Sequence, residues 1–181
     1  RNLVQLVTRA HVEGFYYRPR VDRELLERHA EGLIVLSGCP TAEVPTLLSQ
    51  GRREEAALAA RWYQERFNDY YVEVQEHGDP ELAPLYKDLV AFAREQGLPL
   101  VATNDVHYVR QDHATAQDLL VCIQTNTTVQ DEKRMRMYND SFYLKSPAEM
   151  AALFSELPEA VANTQRIADR CDLKLEFGRL N

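Results

Sequence analysis

The stretch LPLVATNDVHYV, from Leu98 to Val109, decides the fold class of this chain. Its first half is an apolar run typical of a buried strand, and the run stops at Asn104 and Asp105. His107 follows Asp105 by two positions, and residues i and i+2 of an extended strand end point the same way. A carboxylate and an imidazole placed together suit Zn, Mn or Fe. The alternative is a turn aspartate beside a surface histidine.

Two further strands are predicted on the N-terminal side of this stretch. GLIVLSGC is an apolar run bounded by glycines and is typical of a buried strand. DYYVEVQEHG predicts a strand over Tyr70 to Gln75, in which Val72 and Val74 alternate with Glu73. Helical patterns lie between and after the three strands, and this alternation favours an α/β fold with a parallel sheet.

Capping residues and periodicity predict the helices. The first runs from Asn2 to Val12, and its apolar face is expected to comprise Leu3, Val4, Leu6 and Val7. A second helix is capped by Asp22, and a short third helix is stopped by Gly51. The fourth helix covers Arg53–Phe67, with an apolar stripe of Ala57, Ala60, Trp62 and Phe67. The fifth runs from a cap at Asp79 to Gly97.

The C-terminal third continues this pattern. DHATAQDLLVCIQ predicts a helix capped by Asp112, and a capping box from Ser146 to Glu149 opens another helix. PEAVANTQRIADRC predicts a last helix, and LKLEF a final extended segment. Because the sequence becomes polar after Gln124, a domain boundary is predicted near residue 125, which separates residues 1–125 from residues 126–181.

Composition limits the classes of function. The chain has 181 residues and a net charge of −7, so a basic footprint for nucleic acid over the whole surface is absent and any DNA contact needs a local patch. Cys39, Cys122 and Cys171 are far apart and form no C-x-x-C pair, which favours a reducing compartment and a cytoplasmic location. No apolar run reaches the ~20 residues of a membrane span, so no membrane contact is expected.

Metal-capable side chains follow each predicted strand, and the carboxyl ends of parallel strands share one edge of a sheet. Cys39 follows the first strand, where its thiolate would act as a ligand or nucleophile, although a small buried residue is the simpler interpretation. His77 follows the second strand. It is a candidate ligand or phosphate contact, and a structural histidine beside Gly78 is the favoured interpretation.

Two basic segments are candidates for phosphate contact. Tyr16, Tyr17, Arg18 and Arg20 form an aromatic-basic loop that would stack a base and hold phosphates, or else close one end of the fold by packing and an arginine–carboxylate pair. The second is the cluster of Lys133, Arg134 and Arg136, for which a solvated basic loop is the default interpretation.

Five phrases, read together and in order, carry a family resemblance that covers essentially the whole chain. They are RNLVQLVTRAHVEGFYYRPRVD, EGLIVLSGC, VEVQEHGDPEL, LPLVATNDVHYV and FYLKSPAEMAALFSELPEAVANTQRIADRCDLKLEFG. The chain resembles the family of bacterial DNA polymerase III alpha (catalytic) subunits. The similar region is the later part of their N-terminal polymerase and histidinol phosphatase (PHP) domain, continuing toward the polymerase palm.

The resemblance implies a fold and a site. Residues 1–125 are expected to form the later portion of a distorted (β/α)7 PHP barrel, and residues 126–181 a mostly helical segment leading to the palm. The family's metal ligands match Cys39, Asp105 and His107, with Zn, Mn or Mg as the divalent ion. In some members the metal cluster supports 3′–5′ proofreading hydrolysis of DNA, and in others the domain is a structural module that braces the polymerase. DNA and other replisome subunits are the implied partners.

The chain also departs from the family pattern. It lacks an initiator Met and begins in a helical pattern, which indicates a fragment. The family's H-x-H pair and other ligands precede the first residues seen here, and the palm carboxylates lie beyond the last. No catalytic residue is therefore assigned, the chain alone is expected to be inactive, and an opened barrel edge is expected to favour self-association. A free-standing PHP phosphatase is a further alternative, against which the capped helices after residue 145 argue.

Overall fold

The structure is a computed structural model that describes residues 1–67, 69–172 and 177–178. It is a mixed α/β structure, as predicted. The helices are α1 Asn2–Val12, α2 Arg23–Arg28, α3 Glu43–Ser49, α4 Arg53–Phe67, α5 Ala83–Gln96, α6 Ala114–Thr125, α7 Pro147–Leu153 and α8 Pro158–Arg170. The strands are β1 Val35–Leu36, β2 Tyr70–Gln75 and β3 Leu100–Thr103.

The strands form one three-stranded sheet in the order β1-β2-β3. β1 pairs parallel to β2, with Val35 opposite Tyr70 and Leu36 opposite Tyr71. β2 has the predicted bounds and is buried on both faces, as strands of parallel sheets are. The predicted first strand is corrected: β1 is only two residues long and half-buried, because its pairing with β2 involves only these residues.

Contacts divide the chain into two compact units. Unit 1 comprises Arg1–Val72 and Asp88–Pro99. In it α3 packs on α4, whose buried face consists of small residues and one aromatic ring: Ala56, Ala59, Ala60 and Phe67. Arg53 at the start of α4 forms ion pairs with Asp88 (2.6 Å) and Glu95 (2.7 Å) of α5.

Two predicted helix faces in unit 1 are wrong in part. On α1, Leu6 and Ala10 are buried, whereas Leu3, Val4 and Val7 are exposed. The spacing of a helical face is visible in the sequence, but the side that receives a partner is decided by the neighbouring elements. On α4 the predicted stripe is displaced in the same way, because Ala57 and Trp62 are only half-buried.

Unit 2 comprises Glu73–Lys87 and Leu100–Asn181. In it α8 packs on β3, and the buried Asn163 amide donates to the Leu100 carbonyl over 2.7 Å. The predicted capping box is confirmed: the Ser146 hydroxyl accepts from the Glu149 amide, and the Glu149 carboxylate accepts from the Ser146 amide. Within the part of the chain that the structure describes, no helix is long and apolar enough to cross a membrane.

Two helix starts are corrected. Asp112 does not cap α6; it lies in a 3-10 helix, Gln111–His113, and accepts hydrogen bonds from Arg110. α5 begins at Ala83 rather than directly after Asp79, because Pro80–Leu82 form a turn in which the Asp79 carboxylate accepts from the Glu81 amide at 2.9 Å. The predicted extended segment LKLEF falls largely outside the described residues, at positions 173–176.

Candidate metal-binding turn after β3

The polypeptide turns sharply where β3 ends. Asp105 has a φ of 43°, in the left-handed region that aspartate tolerates better than most residues because its short side chain bonds locally. This turn brings the His107 ring back onto the turn itself. His107 Nδ1 lies 2.7 Å from the Asp105 carbonyl oxygen and 3.9 Å from Asp105 Oδ2.

The Asp105 carbonyl determines the tautomer of His107. A carbonyl oxygen only accepts hydrogen bonds, so Nδ1 is the donor and the neutral ring keeps its lone pair on Nε2. A backbone carbonyl that holds the other ring nitrogen is typical of metal-binding histidines. The His107 and Asp105 side chains are 38% and 40% exposed, so an ion in solvent reaches both. The turn therefore exposes one carboxylate and one imidazole to solvent, and their role as metal ligands stays a prediction.

Asn104 anchors the base of this turn. It is buried, and its side-chain amide donates to the carbonyls of Ser141 (3.0 Å) and Tyr143 (2.7 Å). Its side-chain oxygen accepts from Lys145 Nζ at 3.0 Å. Buried polar groups that are all paired fix a single arrangement of the chain. The segment 141–145 therefore positions the residue that directly precedes Asp105.

Backbone pairing extends this anchoring. The His107 amide donates to the Phe142 carbonyl over 2.8 Å, and the Leu144 amide donates to the Tyr108 carbonyl over 3.1 Å. Lys145 lies with its ammonium 4.5 Å from the centre of the Tyr143 ring. Burial lowers the pKa of Lys145, while Glu149 and Asp140 act in the opposite direction. The turn after β3 is therefore held by backbone pairing of residues 107–108 with residues 142–144 and by the side chain of Lys145.

Phe142 lies between two histidines of unit 2. The His77 ring stacks on it with centroids 3.9 Å apart, and the His107 ring meets its edge at 5.9 Å. His77 is buried; its Nδ1 is 2.7 Å from Ser141 Oγ, and its carbonyl accepts from the Asn139 amide at 2.6 Å. Burial, and then the charge of Lys145, lower the pKa of His77 and favour its neutral form. A phosphate contact by His77 stays a prediction, and these contacts favour a structural role.

The donor set in the described part of the chain is small. Among residues 1–67, 69–172 and 177–178, no group of three or more His, Cys, Asp and Glu side chains is arranged to hold a metal ion. Unit 2 offers the Asp105–His107 pair. Cys39 belongs to unit 1, where it is an exposed free thiol with Sγ 3.2 Å from Thr41 Oγ1. Its role as a ligand stays a prediction.

The basic cluster divides into one buried and two exposed cations. Arg134 has a side chain only 5% exposed and binds Asp118 of α6 in a bidentate ion pair, at 2.5 and 2.6 Å. This contact holds the pKa of Asp118 below its usual range and fixes the loop after α6. Lys133 and Arg136 are exposed. Of the three predicted phosphate contacts, these two are presented to solvent.

In unit 1, the aromatic-basic loop is also presented to solvent. Tyr16 and Tyr17 are 63% and 82% exposed, and Arg18 and Arg20 are exposed as well. The Arg20 guanidinium lies 5.1 Å above the Tyr16 ring. The alternative prediction was that this loop packs against the fold and forms an arginine–carboxylate pair. Among the described residues, the loop side chains are exposed and no such pair is seen.

Several supporting residues were missed from the sequence. Asn104 holds the candidate turn together with Ser141 and Lys145, which lie about 40 positions after it in the chain. One signal was available: a polar Asn directly after a buried strand needs hydrogen-bond partners. Nothing in the local sequence of FYLKS identified it as the segment that provides them.

Comparisons with known proteins give one consistent result. Residues 1–77 match the PHP domain family. Proteins named DNA polymerase III subunit alpha are 49% identical over 180 residues in Treponema pallidum, 46% over 179 residues in Borreliella burgdorferi and 45% over 182 residues in Thermus aquaticus. These alignments cover 97%, 98% and 98% of this chain. The chain spans only 15–16% of the length of these relatives.

Proposed function

We propose that this chain is the part of a replicative DNA polymerase that contributes a divalent-metal site for 3′–5′ hydrolysis of DNA, because residues 1–77 match the PHP domain family and nearly the whole chain is similar to proteins named DNA polymerase III subunit alpha. Its residues 1–125 form the later portion of a distorted (β/α)7 barrel, and residues 126–181 lead to the polymerase core. The whole protein works in the cytoplasm on DNA with other replisome subunits, and the chain alone is inactive.

The observation that carries the proposal is the hydrogen bond between His107 Nδ1 and the Asp105 carbonyl. It leaves the lone pair of an exposed imidazole on Nε2, and the exposed Asp105 carboxylate lies 3.9 Å from Nδ1 of the same ring, on a turn whose base is locked by Asn104. Asp105 and His107 are the proposed ligands, and Cys39 is proposed as a further thiolate ligand. A divalent ion supplies an activated water for attack on a phosphodiester.

Calorimetric titration of the chain with Mn²⁺ or Zn²⁺ tests the ligands. We expect Asp105→Asn and His107→Ala each to weaken metal binding by roughly tenfold or more. Asp112 and His113 form a matched control, since this second aspartate–histidine pair is also exposed, with 3.8 Å between Asp112 Oδ1 and His113 Nε2. Asp112→Asn and His113→Ala are expected to bind as the wild type does. Equal losses in both pairs would contradict the proposal.

A second candidate function is a structural and interaction module that braces the polymerase around a metal site without catalysis. The observation that favours it is the apolar surface of α6, where Leu119, Leu120 and Ile123 are 50%, 58% and 76% exposed. Solvent-facing leucine and isoleucine on successive turns of one helix are typical of an interface. Metal binding without hydrolysis in the full-length protein would favour this function.

A further inference from the structure

The loop that follows α1 presents aromatic rings to solvent in a fixed arrangement. The Tyr16 amide donates to the Arg18 carbonyl over 3.1 Å, which closes a tight turn around Tyr17. The two tyrosine rings meet edge to face with centroids 4.6 Å apart. Tyr17 is 82% exposed, and among the described residues the aromatic ring that pairs with it is that of Tyr16.

The backbone of this loop is strained and braced. Tyr17 has a φ of 58°, in the left-handed region, where a bulky side chain costs about 1–3 kcal/mol. At the base of the loop Gly14 approaches the Arg20 carbonyl so closely that a Cβ on Gly14 would lie 2.1 Å from that oxygen. Strain of this kind persists where the surrounding structure enforces it, and it is concentrated at functional sites.

The positive charge of the loop is left available. Among the described residues, no carboxylate lies within 4.0 Å of a guanidinium nitrogen of Arg18 or Arg20. The neighbouring cleft between α1 and α2 has a volume of about 440 Å³, and its other arginines are neutralised: Arg9 pairs with Glu13, and Arg28 with Glu24. Arg20 is therefore the cation of this cleft that is free to bind an anion.

We infer that this loop is a stacking platform for single-stranded DNA, with a base on Tyr17 and backbone phosphates at Arg18 and Arg20. Exposed aromatic rings beside arginines bind unpaired bases, whose faces are accessible, whereas the bases of a duplex are stacked on one another. Arg20 already covers one face of Tyr16, which leaves the more exposed Tyr17 ring for the base. The inference rests on the proposed function only in taking DNA as the nucleic acid.

Fluorescence anisotropy with a labelled oligo-dT of about 12 nucleotides tests the platform, since single-strand sites span ~4–16 nucleotides. EDTA in the buffer removes any contribution of metal or hydrolysis. We expect Tyr17→Asn to weaken binding by roughly tenfold, because base stacking is lost. Asparagine adopts left-handed φ readily, so this variant keeps the turn. Tyr17→Phe is expected to retain binding, and Arg18→Ala with Arg20→Ala to weaken it and flatten its salt dependence.

Matched controls are Tyr138→Asn, which removes another exposed tyrosine, and Arg61→Ala, which removes another exposed arginine. Both are expected to bind as the wild type does, and a duplex of the same length is expected to bind more weakly than oligo-dT. Wild-type affinity in Tyr17→Asn, or equal affinity for duplex and single strand, would overturn the inference. Asp105→Asn is expected to leave this binding unchanged, so failure of the metal site and failure of the platform are distinguishable.

Discussion

Asn104 shows how a single buried side chain positions a candidate site. Its amide and carbonyl groups together meet the Ser141 and Tyr143 carbonyls and the Lys145 ammonium. Each of these partners lies in one short segment, so one residue joins two parts of the chain that are far apart in sequence. The positions of the candidate ligands Asp105 and His107 depend on it, although Asn104 is not itself a proposed ligand.

We predict that Asn104→Ala lowers the free energy of unfolding by about 2 kcal/mol, because its buried partners are left without hydrogen bonds. Urea unfolding followed by circular dichroism measures this change. Gln124→Ala is the control, since it removes a side-chain amide that is exposed on α6 and alanine favours a helix. A loss in Asn104→Ala no larger than in the control would show that the turn does not need this anchor.

Gly14 is a second residue on which the fold depends, because no side chain fits at its position. We predict that Gly14→Ala costs about 1–3 kcal/mol, because the new methyl group cannot lie 2.1 Å from the Arg20 carbonyl and the loop must open. Gly32→Ala is the comparison, since Gly32 has a φ of 74° and open space around its Cβ position. NMR shifts of the Tyr16 and Tyr17 rings should change in the first variant only. Unchanged tyrosine signals in Gly14→Ala would contradict this account of the loop.

At the scale of elements, the capping box of α7 is tied to the segment that holds the candidate turn. The Glu149 carboxylate accepts from the Ser146 amide at 2.8 Å, the Ser146 hydroxyl at 2.6 Å and the Tyr143 hydroxyl at 2.6 Å. These hydrogen bonds lower the pKa of Glu149 to about 2. The same hydrogen bonds therefore join the start of α7 to the segment that pairs with Asn104.

This pKa predicts a pH dependence of stability. A carboxylate whose pKa is lower in the folded state stabilises the fold fully above its unfolded pKa of about 4.3 and progressively less as the pH falls toward 2. Glu149→Gln should therefore be less stable than the wild type at pH 7, and the difference should shrink between about pH 4.5 and pH 2. Chemical unfolding at a series of pH values measures it. A difference that does not change with pH would contradict the assigned role of the charge.

Local signals predicted several elements well. The bounds of α1, α4 and β2 and the capping box of α7 follow from periodicity and caps, which depend on neighbouring residues. The buried side of α1 and the length of β1 depend on distant partners instead; the first prediction was wrong in part and the second was wrong. The predicted cap at Asp112 was also wrong, because Asp112 lies in a 3-10 helix and pairs with Arg110. For the candidate site, the polar residues after β3 marked the end of the strand. The extended geometry expected for Asp105 and His107 was wrong, because Asp105 has a left-handed φ of 43°, and the anchor in segment 141–145 was not visible in the sequence.

At the scale of the whole molecule, one exposed apolar helix face is available for contact with another molecule. Leu119, Leu120 and Ile123 lie exposed on α6. We predict that the chain self-associates at micromolar concentration, since such surfaces are buried by contact. Leu120→Glu with Ile123→Glu should shift it toward monomer in sedimentation velocity experiments, whereas Gln124→Glu, an exposed position on the same helix, should not. A wild-type chain that stays monomeric would contradict this prediction.

The central claim is that the turn after β3 belongs to a metal-dependent nuclease site. The most direct measurement is 3′–5′ hydrolysis of labelled DNA by the full-length protein that contains this chain, with Mn²⁺ or Zn²⁺ and without nucleotides. The account predicts hydrolysis that EDTA abolishes, that Asp105→Asn and His107→Ala each reduce by roughly tenfold or more, and that Asp112→Asn with His113→Ala leaves intact. Metal-dependent hydrolysis that persists unchanged in Asp105→Asn and His107→Ala, or no hydrolysis in any form of the protein, would contradict it.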